Sequence, residues 1–83
     1  MGKTRKEFKE LLRAESEKLL SKRYHLHRCF NAHEIVDEVQ RASDSLEGAK
    51  TFDMFCKDDD GYMNEVRKLA DVCAYKLYAL YHG

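Results

Sequence analysis

Proline and tryptophan are absent from this 83-residue sequence, and glycine occurs only four times, at positions 2, 48, 61 and 83. So few breakers disfavour a sheet joined by tight turns and point to long helices. Cysteine is present but odd in number: Cys29, Cys56 and Cys73 stand far apart, which makes poor material for a disulfide framework. No apolar run approaches the length that spans a bilayer. The basic N-terminus leads into charged residues instead of the apolar stretch of a secretory signal. These absences predict a cytoplasmic chain with reduced thiols and no membrane contact. There is also no glycine-rich phosphate loop and no grouped nucleophile, base and orienting residue. The expectation is therefore a protein that is not an enzyme and that uses neither a cofactor nor a small-molecule substrate.

What is present suits a globular core. Hydrophobic residues make up 43% of the chain and charged residues 36%, too apolar a balance for a disordered tail. The length allows one domain, spanning 1–83, and a chain so small has a thin stability margin that a partner could widen. The formal net charge is zero, but residues 1–28 carry nine Lys/Arg against four Asp/Glu, and residues 29–83 six against eleven. That polarity of +5 and −5 fits a basic first helix lying beside acidic ones, or a basic face turned to nucleic acid.

The hydrophobic pattern predicts an all-α bundle of three main helices, over about 5–23, 32–47 and 61–81, with a short helical turn near 51–56. Thr4 with Glu7 reads as a capping box, after which Phe8, Leu11, Leu12 and Leu19 share one side and Leu20 falls off it. Asn31 with Glu34 repeats the capping signature. Ala32, Ile35, Val36, Val39, Ala42 and Leu46 then fill a narrow sector, Arg41 follows Asp37 at ion-pair spacing, and Gly48 is placed as a left-handed C-cap. Phe52, Met54 and Phe55 anchor the short turn. The last helix carries Tyr62, Val66, Leu69, Cys73, Leu77 and Leu80 as its core stripe. Its opposite face is charged as far as Asp71, and beyond that Tyr75 and Tyr78 take over, flanked by Val72 and Ala79. A helix that becomes apolar nearly all round is buried on several sides, and little chain remains to cover the second one.

Three other groups invite chemistry. His25, His27, Cys29 and His33 supply ligand types that zinc accepts, but their spacing matches no common structural zinc pattern, so no metal is expected there. Asp58-Asp59-Asp60-Gly61 has the acidic start of a calcium loop. An EF-hand, however, needs glutamate six residues after its glycine, where Arg67 stands; the acids instead suit a helix N-terminus. Arg5, Lys6, Lys9 and Arg13 form a basic stripe able to neutralise phosphates, extended by Lys18, Lys22, Arg23 and Arg28 and interrupted by Glu7, Glu10, Glu15 and Glu17.

The sequence thus reads as a small interaction or regulatory protein of adaptor or inhibitor type. It would present a helix face around Val72, Tyr75, Tyr78 and Ala79 to a protein partner, with a second copy as one solution. The alternative is a nucleic-acid-associated regulator that uses the basic first helix.

Overall fold

A computed structural model describes residues 4–25 and 32–82. Among these described residues four helices follow in order: α1 (Arg5–Lys22), α2 (Ala32–Asp44), α3 (Leu46–Cys56) and α4 (Tyr62–His82). Among the described residues there is no strand, and no helix is long and apolar enough to cross a membrane. The all-α bundle expected from the periodicity is what the chain forms.

Thr4 caps α1, its hydroxyl accepting the Glu7 N–H at 3.2 Å. The direction of packing follows from which residues meet. Arg5 and Lys9 of α1 reach Ser43 and Gln40 of α2, so these two helices run antiparallel. Glu15 meets Arg67, and Tyr24, just past α1, meets Asp71 and Tyr78, so α1 and α4 run parallel. Each helix touches the other three, and α4 makes the most extensive contacts, above all with α1.

The core holds Phe8, Leu12 and Leu20 from α1, Ile35 and Val39 from α2, Phe55 from α3, and Val66, Leu69, Ala70, Cys73, Ala74 and Leu77 from α4. Phe8 sits between Phe52 and Phe55 at ring-centroid distances of 5.4 and 5.7 Å, and Phe55 meets Tyr62 edge-on at 5.6 Å. Leu20 is fully buried although it lies off the α1 stripe, because α1 packs against both α2 and α4 and buries a wider sector than one stripe.

The largest correction concerns Gly48. It does not end α2 in a left-handed cap; no glycine among the described residues has a positive φ. Helix α2 stops at Asp44 and α3 begins at Leu46, running 11 residues where a single turn near 51–56 was expected. Ser45 makes both events happen. Its hydroxyl donates to the Ala42 carbonyl at 2.6 Å and accepts the Gly48 N–H at 3.0 Å, so one side chain closes α2 and caps α3. Gly48 is needed because the first turn of α3 presses on the last of α2. A Cβ there would overlap the Ala42 carbonyl oxygen and stand 2.6 Å from that of Ser43.

The break also releases Leu46, which is 73% exposed, while Val36 at 46% lies on the rim of the α2 sector and not inside it. Arg41 pairs with Glu38 at 2.6 Å, not with Asp37 as its spacing suggested, because Glu38 is the acid buried on the inner side. The left-handed residue that does end a helix is Asp58, with φ 55°. The Asp59 N–H returns to the Met54 carbonyl at 3.0 Å and the Asp58 N–H to that of Phe55 at 3.2 Å, which is a Schellman closure. Aspartate is one of the few residues other than glycine that visits this conformation routinely. Asp59 then accepts the Gly61 N–H at 3.1 Å at the entry to α4. The acidic run is a double helix terminus.

Candidate interaction surface on α4

The second apolar face of α4 divides once the chain is folded. Tyr78 is half-buried and stacks on Tyr24 with ring centroids 4.9 Å apart and 27° between planes. Tyr24 is fixed in turn by its phenol, which donates to Asp71 at 3.1 Å, and Arg23 pairs with the same carboxylate oxygen at 2.9 Å. Burial and the Asp71 carboxylate both push the Tyr24 phenol above its usual range. This latch fastens the end of α1 to α4. Of the four residues proposed for a partner, Tyr78 therefore does much of its work inside the fold.

The other three face outward. Val72 is 50% exposed and Tyr75 59%, and Ala79 is exposed beside them. Spaced at 72, 75 and 79, they repeat the three-then-four step of a helix–helix seam. Tyr75 touches Tyr24 only at a ring distance of 6.4 Å. Leu80, assigned to the core stripe from its spacing, is 66% exposed and borders the same surface. Lys76 stands exposed between them.

Two members of the basic stripe on α1, Arg5 and Lys9, are committed to contacts with other helices. Arg5 donates to the carbonyl and hydroxyl oxygens of Ser43 at 3.0 and 3.2 Å, with its guanidinium 4.4 Å from the Phe52 ring centre. Lys9 donates to Gln40 Oε1 at 2.6 Å, and Arg13 pairs with Glu17 at 3.2 Å. Lys6 is exposed. Of the metal-ligand candidates, His27 and Cys29 lie outside the described residues. His25 and His33 are exposed, and no group of three potential metal ligands forms among the described residues.

The burial of one acid escaped the sequence reading. Glu15 is nearly buried and pairs with Lys18 at 3.1 Å and Arg67 at 3.4 Å. Burial pushes its carboxyl up, but Lys18 and Arg67 outweigh this and hold it below the usual 4.5. The signal was there, since Glu15 falls seven residues after Phe8 and four before Leu19, on the apolar stripe itself. A depressed folded-state pKa means that the carboxylate stabilises the fold at pH values above its unfolded pKa. That contribution is lost as pH falls through the lowered value. Glu15→Gln is accordingly expected to lower the urea midpoint at pH 7 and to match the native chain at a pH low enough to protonate the carboxyl in the folded state. An equal loss at both pH values would show that packing, not charge, is at stake. Cys73, placed on the core stripe by its spacing, is a core thiol 3.6 Å from the Glu38 carbonyl; burial pushes it up to about 11, so it is a poor nucleophile.

Comparison with family models, with curated proteins and with solved structures finds no match.

Proposed function

We propose that this chain is a small interaction protein, of adaptor or inhibitor type, which docks a helix along the Val72–Tyr75–Ala79 seam, and that the helix is α4 of a second copy. The observation that carries the reading is the exposure of Val72 and Tyr75 on a helix whose other apolar residues mostly enter the core. Tyrosine suits such a place because it combines large contact area, a polar tip and little rotamer entropy.

Three features favour a second copy. The seam holds one large and one small residue, Tyr75 and Ala79. In an antiparallel two-fold pair each tyrosine lies opposite the partner's alanine, so the surface complements itself. The chain has no net charge, so two copies meet no overall repulsion. A small domain also gains stability from covering apolar area. Helix α4 is 21 residues long, about 31 Å, and a contact along part of one helix falls at the small end of specific interfaces. A dissociation constant in the micromolar range is expected. Sedimentation velocity over a concentration series tests this: the native chain is expected to move from monomer to dimer, and Tyr75→Lys to remain monomeric with an unchanged circular dichroism spectrum. A native chain that stays monomeric at millimolar concentration would remove the second copy as occupant.

The commitment of Arg5 and Lys9 to contacts with α2 is why the nucleic-acid alternative is not adopted for that stripe.

A further inference from the structure

The parallel register of α1 and α4 assembles a second feature that no segment of the sequence shows alone. The end of α1 and the start of α4 enclose an open groove of about 490 Å³. Lys18, Lys22 and Arg23 line it from α1, and Arg67 and Lys68 from α4, over a floor of Glu15, Leu19 and Asp71. Five cations thus face two carboxylates.

Those carboxylates orient the groove as well as reducing its charge. Arg67 meets Glu15 through Nε, and Arg23 meets Asp71 through Nη1, which leaves N–H donors on both guanidinium groups for another acceptor. Glu15 is nine-tenths buried and cannot leave, so it acts as a fixed anchor for Arg67. Lys68 is held only by an exposed pair with Glu65 at 3.2 Å, which costs little to give up. Lys22 makes no ion pair among the described residues. The side chains of Lys18, Arg23 and Arg67 are all more than half exposed. Arginine forks with lysines around them suit phosphate oxygens.

The geometry points to a binding site for a compact phosphate chain, whether an inorganic polyphosphate or the phosphate tail of a nucleotide. The volume lies in the range of small-ligand pockets. A long polyanion is the weaker fit, because the chain as a whole is neutral and supplies no extended field to a strand. The proposal does not depend on the α4 seam.

Isothermal titration of the full chain at low salt with tripolyphosphate, ATP and a twelve-nucleotide single strand tests it. Saturable one-to-one binding of tripolyphosphate is expected, with ATP competing for the same site. Equal affinity for the two would mean that the phosphate chain alone is recognised, and tighter ATP that the nucleoside adds contacts. Arg67→Gln and Lys22→Gln are each expected to weaken binding about tenfold, as for loss of one charge-assisted hydrogen bond. Lys22 is exposed, so its variant stays folded even if the Arg67 variant does not. Lys6→Gln, in the groove on the other side of α1, is expected to leave affinity unchanged. No saturable binding at low salt would overturn the proposal. So would equal losses in the Lys6 and Lys22 variants, which would mark diffuse attraction. Affinity for the twelve-nucleotide strand that exceeds that for ATP would replace it with a nucleic-acid site.

Discussion

Phe8→Ala is expected to cost about 4 kcal/mol, the largest effect of any single truncation in the core. Phe8 has no exposed surface and its ring is in contact with those of Phe52 and Phe55. Removing it empties the meeting point of α1 and α3, and α3 has few other anchors. A domain of this size has a total stability of roughly 4–12 kcal/mol, so the variant loses about a third of it or more. A fall in melting temperature on the order of 20 °C is expected in a thermal scan followed by circular dichroism. Leu46→Ala is the matching control. Leu46 fits the apolar sector of α2 by spacing but is mostly exposed, so its truncation is expected to shift the midpoint by no more than about 0.5 kcal/mol. Comparable losses at the two positions would mean that α2 continues past Asp44 after all.

Gly48→Ala is expected to cost about 3 kcal/mol, at the upper end for forcing atoms into a packed site. The added methyl would meet backbone carbonyl oxygens of Ala42 and Ser43, which cannot turn aside as a side chain can. The whole first turn of α3 has to lift from α2, taking the Ser45 cap with it. If Gly48 were an ordinary left-handed cap, alanine would cost only about 1 kcal/mol, and Gly48→Asn would be tolerated better still. Urea unfolding of the alanine and asparagine variants separates the two: a close approach penalises asparagine at least as heavily as alanine.

The contrast between Leu46 and Gly48 shows how far the sequence could be read. Periodicity located α1, the body of α2 and all of α4, since each has enough apolar residues on one side for its period to be plain. Helix α3 was under-read because glycine after an apolar run looks like a stop. Its true start is written in Ser45, a common capping residue whose double role depends on how α2 and α3 press together. Asp58 was read as part of an acid cluster for the next helix. Its left-handed backbone is a property of the chain reversal and not of the residue alone.

The surface was legible as an excess of apolar positions on α4, but not its division between Tyr75 and Tyr78. That division comes from Tyr24, which folds back from the end of α1 onto Tyr78. The α1 stripe shows the same limit in reverse. Its spacing suggested a free cationic face, yet Arg5 and Lys9 reach partners on α2. The cations at the far end of α1 gain Arg67 and Lys68 as neighbours only because α1 and α4 run parallel, a register that no local pattern states.

The central claim is that α4 meets α4 of a second copy with each Tyr75 ring against the other chain's Ala79 methyl. A sample mixed from isotope-labelled and unlabelled chains, recorded with a filtered nuclear Overhauser experiment, reports only contacts between copies. The account predicts a cross-peak between the Tyr75 ring and the Ala79 methyl, lost in Tyr75→Lys. Between-copy contacts confined to residues away from Val72, Tyr75 and Ala79, at concentrations where the chain is dimeric, would contradict it.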